Sequence, residues 1–192
     1  MFIKIINIVV NVSTLILNLK TNYEEEAKMK QISIDELNEN AFKMIGSDWL
    51  LLTAKKGDKV NTMTASWGGV GIMWNKPVAY IFVRPQRYTK EFIDASDSLS
   101  ISVLPNSFKK TLSYLGTVSG RDEDKIAKSG LTVKDCDNVP YFEEARLAFI
   151  CKKLYAQSLE KECFIDQSLI EKCYAANDYH VMYVVEIEKI LE

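Results

Sequence analysis

The stretch from Asn61 to Asp94, NTMTASWGGVGIMWNKPVAYIFVRPQRYTKEFID, constrains this chain most. It places a hydroxyl-rich strand, a glycine turn between two tryptophans, an apolar strand and a basic turn before a helix in one short run. That order suits a ligand with two unlike ends. A phosphate calls for hydroxyls, a guanidinium and the free amides of a helix start. A flat ring calls for apolar walls and a close backbone, which glycine allows. Gly68-Gly69-Val70-Gly71 is not a dinucleotide fingerprint, because Pro77 and a strand follow where a helix would have to open.

At 192 residues, with 47% hydrophobic and 26% charged side chains, the chain reads as one globular domain with an ordinary core. A net charge of −2 without a polybasic run excludes a nucleic-acid footprint. Four cysteines (Cys136, Cys151, Cys163, Cys173) without C-x-x-C spacing, and a single histidine, His180, argue against a metal site and a disulfide framework. Reduced thiols in a cytoplasmic protein are the simpler reading. One histidine also leaves little room for a Ser-His-Asp or Cys-His arrangement.

Residues 1–28 stand apart. Phe2 to Leu19 is apolar but broken by Lys4, Asn7, Asn11 and Asn18, too polar and short for a membrane span. No small-x-small cleavage site follows it. Glu24-Glu25-Glu26-Ala27-Lys28-Met29 can be encoded by a string with GGAGG shortly before ATG, as at a bacterial ribosome-binding site. Met29 is therefore expected to be the start and residues 1–28 a functionless leader; a solvated glutamate run is the plainer account.

From residue 29 onward the pattern predicts many strands and few helices. Ser33-x-x-Glu36 is a capping box with Ile32 and Leu37 as staple, predicting a helix that ends at Gly46. Strands are predicted over 49–54, 60–67, 78–83, 99–104, 147–157 and 180–190, with short helices capped by Thr89, Ser107 and Ser168 and another over 122–128. Strands without regular β-α-β alternation argue for a mainly β fold, a β-barrel carrying helices.

Thr62, Thr64 and Ser66 share one face of their strand, either a ligand face or a solvated one. Arg84-Pro85-Gln86-Arg87-Tyr88-Thr89 makes a phosphate pocket if its arginines are not simply solvated. Trp67 and Trp74 serve as core or as a ring wall. Arg121 and Lys125, in and after a polar loop, are within reach of an anion in some arrangements. His180 opens the last strand, as a hydrogen-bonded strand end or a catalytic group.

Six segments together carry a likeness. They are Gly46 to Leu52, Asn61 to Gly69, Trp74 to Pro77, Val83 to Thr89, Ser119 to Lys125 and Asp178 to Tyr183. With them, residues 29–192 resemble the flavin reductase-like family, which includes flavoredoxins. The resemblance implies an FMN-binding split β-barrel, a homodimer with FMN near the interface, and transfer of a hydride from NADH or NADPH to FMN and of electrons to an unknown acceptor. It assigns Thr62, Thr64, Ser66, Arg87, Tyr88 and Thr89 to the phosphate end and the backbone around Ala65, Ser66 and Trp67 to the ring. Arg84 is implied as a second anion contact and His180 as a residue near the flavin face. A flavoredoxin-like electron carrier, or a module that only binds flavin, is the alternative. The flavin would carry the chemistry.

Overall fold

Runs that are apolar on both faces become the central strands. The computed structural model describes residues 29–192, and the account below concerns the compact unit Gln31–Glu192. The leader reading of residues 1–28 lies outside the described residues. Ten strands form: β1 Gln31–Ile32, β2 Leu50–Lys56, β3 Lys59–Ala65, β4 Gly68–Met73, β5 Lys76–Val83, β6 Ser98–Val103, β7 Val133–Cys136, β8 Val139–Phe142, β9 Leu147–Ser158 and β10 Val181–Leu191. Seven of them pair in the order β3-β2-β6-β9-β10-β5-β4, β1 adds to β10, and β7 and β8 make a separate hairpin.

The long strands β9 and β10 hold this sheet together. Their register shifts between Val184 and Val185 and again between Ile187 and Lys189. Such bulges bend a strand and increase its twist, which lets β10 serve β5 with its first half and β1 with its last residues. Leu52, Met63, Ile81, Ile101, Phe149 and Tyr183 fill the resulting core. Each large apolar side chain fully buried there contributes about 1.5–3 kcal/mol. Tyr183 ends its ring on a polar atom, donating its hydroxyl to Asp94 Oδ1 at 2.5 Å.

Four helices decorate the sheet: α1 Tyr88–Ala95, α2 Lys109–Thr117, α3 Lys125–Ser129 and α4 Ser168–Cys173. Helix α1 buries Thr89, Phe92 and Ile93, the i, i+3, i+4 stripe of a packed helix. Helix α3 starts where Asp124 Oδ1 accepts from Ala127 N at 3.0 Å and ends at Gly130, whose φ of 75° suits glycine. Among the described residues no helix is long and apolar enough to cross a membrane.

Several local expectations are corrected. The helix expected from Ser33 to Gly46 is a 3₁₀ turn, Ile34–Glu36, followed by a π-helix, Lys43–Asp48. Glu36 does reach back to accept from Ser33 N at 2.6 Å, and Ile32 and Leu37 both pack on the core. The helix fails between the two because Asn40 Oδ1 accepts from Lys43 N at 3.0 Å, a side-chain bond that starts a new turn. The glycine turn is strand β4, and the chain reverses instead at Trp74-Asn75, both with positive φ. That geometry is the tight hairpin turn that matches strand twist. Thr89 is not the cap of α1: Arg87 holds the N-cap position, and the buried Thr89 hydroxyl accepts from Asn61 Nδ2 at 2.9 Å. The hairpin of β7 and β8 carries no alternation strong enough to announce it.

Candidate functional site

Strands β3 and β4 end the sheet order on opposite sides, and only Ser66 and Trp67 separate them in the chain. Strand β3 is paired along one edge alone, so backbone amides and carbonyls on its outer edge are free of a ladder. Beside that edge two cavities adjoin, both lined by Met63, Arg84 and Arg87. One, of about 390 Å³, is bounded further by Tyr88, Thr89, Ser119, Gly120 and Lys125. The other, of about 260 Å³, is bounded by Thr64, Ala65, Ser66, Trp67, Phe82 and His180.

The first cavity is cationic. Arg87 is anchored by donating Nη1–H to Gly116 O at 2.6 Å. Lys125, only 4% exposed, donates from Nζ to Leu115 O at 2.7 Å and Val118 O at 2.9 Å. Among the described residues neither cation has a carboxylate partner. Burial, and then the nearby Arg87 charge, push the Lys125 ammonium down to about 8. Two cations this close, one of them desolvated, favour an anion between them. The first turn of α1 adds amides without intrahelical partners to the same end.

The second cavity has the character of a ring wall. Trp67 is 47% exposed and its ring lies 5.1 Å from that of His180. Phe82 stands edge-on to His180 at 6.5 Å. His180 Nδ1 hydrogen-bonds the Tyr174 hydroxyl at 2.9 Å. Burial, then the Arg84 charge, lower the imidazole to about 4, so the ring stays neutral across the neutral range.

The structure brings Thr64, Ala65, Ser66, Trp67, Arg84, Arg87, Tyr88, Thr89 and His180 to the two cavities. It leaves Thr62 out. That side chain is fully buried, its hydroxyl 2.9 Å from Thr53 Oγ1 and donating to Leu52 O at 3.1 Å inside the sheet. Thr64 lines the cavity but its hydroxyl is engaged, donating to Leu112 O at 2.6 Å. Arg84 is likewise no free anion contact. It donates from Nη2 to Cys173 O at 2.9 Å, pairs with Asp178, and lies 5.3 Å over the Tyr174 ring. Gln86 Nε2 adds a bond to Asp178 at 2.7 Å. These contacts tie the 173–178 segment, and with it His180, to the turn after β5. Arg121 is engaged with Glu91 at 2.6 Å and over the Tyr88 ring at 4.6 Å. Met63, Phe82, Ser119 and Tyr174 are additions; Met63 was legible as the residue alternating with Thr62 and Thr64, whereas nothing local points to Tyr174.

The flavin reductase like domain family matches residues 43–191. An FMN-binding domain of a flavin reductases-like enzyme from Shewanella baltica superimposes with a TM-score of 0.62 at 15% identity, covering 85% of this chain and 76% of that one. The FMN-binding protein from Thermus thermophilus with bound p-hydroxybenzaldehyde gives 0.60 at 19%, covering 85% and 82%. Flavoredoxin from Methanosarcina acetivorans gives 0.58 at 25%, covering 83% and 75%. Among curated proteins none matches. The fold is the split β-barrel expected from the sequence. With the family match extending over most of its length, the chain belongs to the flavin reductase like domain family.

Proposed function

We propose that this protein binds FMN and acts as an NADH- or NADPH-dependent flavin oxidoreductase that passes electrons to an acceptor. The observation that carries the reading is the meeting, at Met63 and Arg87, of a cavity in which Arg87 and Lys125 have no carboxylate partner among the described residues and an aromatic-walled cavity. The residues fit FMN at both ends. Arg87, Lys125 and the first amides of α1 would hold the phosphate, and the β3 edge at Ala65–Trp67 would meet the ring. When bound, FMN supplies the two-electron chemistry, taking a hydride from a reduced nicotinamide and giving electrons onward.

The chain's own part is binding, orientation and access. Neutral His180, held by Tyr174 and backed by Trp67 and Phe82, walls the ring end without adding charge. The Arg84–Asp178 pair keeps that wall in place. The test is the visible absorbance of purified, FMN-loaded protein mixed anaerobically with NADH or NADPH. Bleaching of the flavin bands is expected. Yellow protein that neither donor bleaches would leave the electron-carrier reading, which the likeness to a flavoredoxin at 25% identity favours.

The affinity for FMN is expected to weaken as pH rises through about 8, where free Lys125 loses its proton. In Lys125→Met the affinity is lower throughout and this pH dependence is gone. A wild-type curve flat from pH 7 to 10, measured by flavin fluorescence, would remove Lys125 from the phosphate site.

The protein is also taken to be a homodimer. Edge strand β4 leaves Ile72 72% exposed, with Trp74 at 53% in the following turn. An edge strand with such side chains invites a second copy. Sedimentation should give twice the chain mass, and Ile72→Lys should shift it toward monomer.

A further inference from the structure

His180 is the chain's single histidine, and its surroundings decide which ring nitrogen carries the proton. Its Nδ1 lies 2.9 Å from the Tyr174 hydroxyl. Both residues are buried, His180 at 8% exposure and Tyr174 at 4%. If Nδ1–H donated, the phenol O–H would need another acceptor, and among the described residues it has none. A buried donor left without a partner costs about 1–3 kcal/mol. If the phenol donates instead, Nδ1 accepts and both groups are satisfied. A neutral imidazole carries one N–H, so the proton then sits on Nε2.

The fold holds both partners in place. Tyr174 ends α4, donating its N–H to Ile170 O at 2.8 Å. Its ring stacks on Tyr179 with centroids 5.0 Å apart and meets Phe164 edge-on at 5.6 Å. The His180 carbonyl accepts from Leu159 N at 2.9 Å, and its ring packs against Trp67 and Phe82. Burial first, then the Arg84 charge, keep the imidazole neutral; Arg87 adds to this and Asp178 opposes it. His180 lines the ring-end cavity and Tyr174 does not. Nδ1 is thus spent outside the cavity. Nε2, without a partner among the described residues, is the nitrogen left to face it.

We propose, on the flavin reading above, that Tyr174 is a positioning residue: it sets His180 as an uncharged donor, Nε2–H, to a carbonyl oxygen of the flavin ring. At about 260 Å³ the ring-end cavity is smaller than the usual whole-ligand site of about 300–1,000 Å³. One flat ring fills it, so the acceptor offered to Nε2 belongs to that ring. A hydrogen bond to an oxygen that gains negative charge on reduction is stronger in the reduced state. The donor therefore raises the midpoint potential of the bound flavin.

Nitrogen NMR of histidine-labelled protein tests this, because a single imidazole contributes to the spectrum. In flavin-free wild type, Nδ1 should resonate as an unprotonated acceptor and Nε2 as a protonated nitrogen. Saturation with FMN or riboflavin should move the Nε2–H proton downfield and slow its exchange with water. Inorganic phosphate should do neither. Tyr174→Phe should admit the second tautomer and let the imidazole titrate above about 4. His180→Phe keeps the wall and removes the donor. It should weaken reduced FMN about tenfold more than oxidised FMN, read as a lower midpoint potential. A proton on Nδ1 in flavin-free wild type, or an Nε2 signal unmoved by saturating FMN, would overturn the assignment. A shift that appears only when NAD⁺ joins the FMN-loaded protein would hand the donor to the nicotinamide and overturn it equally. Failure of FMN to bind wild type, by flavin fluorescence, would instead overturn the flavin reading. The tautomer measured without flavin keeps the two failures apart.

Discussion

Arg87→Ala should weaken FMN binding by about 1.5–3 kcal/mol, roughly 10- to 150-fold, and leave riboflavin affinity nearly unchanged. The guanidinium lines both cavities of the site and has no carboxylate partner among the described residues. A charge-assisted bond to phosphate is among the stronger hydrogen bonds a protein makes. Riboflavin lacks the phosphate, so it reports whether the pocket itself survives. That control matters because Arg87 also donates to Gly116 O at 2.6 Å, and truncation releases that carbonyl. Isothermal titration with both ligands separates the two effects. Equal losses would mean that Arg87 supports the α2 end and does not bind phosphate.

Gly68→Ala is expected to be the most damaging small substitution in the sheet. Gly68 opens β4 opposite Ile81, with a φ of 157° that L side chains rarely adopt. A Cβ there would lie 2.6 Å from the carbonyl oxygen of Tyr80, a backbone atom that cannot swing aside. Overpacking costs about 1–3 kcal/mol, and a disfavoured backbone conformation about as much again. The expected loss is about 2–6 kcal/mol, each kcal/mol lowering Tm by roughly 2–4 °C at this chain length. Gly71→Ala is the matched control: its added Cβ meets nothing within 4 Å, and its Tm should hardly move. Because Gly68 follows Trp67 directly, a shifted β4 would also displace the ring wall. If Gly68→Ala melts with wild type, the close approach to Tyr80 is not a constraint on the fold.

The individual strands were legible because each carries its signal locally. LLLTA in β2, VAYIFV in β5 and LAFIC in β9 are apolar runs bounded by turn residues. The helix from Ser33 was misread because its cap is real but its continuation depends on Asn40, whose side chain competes with the backbone. The glycines of β4 were misread as a turn. Glycine marks both a bend and a close strand pairing, and only the Tyr80 backbone opposite Gly69 tells which is present here.

The same division holds in the site. Residue type and spacing made β3 and the turn after β5 candidates, and the resemblance assigned Thr64, Ala65, Ser66, Trp67, Arg87, Tyr88 and Thr89 to one ligand; the tertiary structure lines the two cavities with them. Which hydroxyls and charges stay available was decided by long-range partners. Thr53 and Leu52 withdraw Thr62 into the sheet, Leu112 takes the Thr64 hydroxyl, and Asp178 and Cys173 take Arg84. Lys125 went the other way, from a loop-end lysine to a desolvated cation between two carbonyls of a preceding helix and its flank. The sequence by itself determined the apolar runs, the turn chemistry and the kinds of group available. Tertiary structure alone decided burial and pairing, because these depend on atoms that lie far apart along the chain.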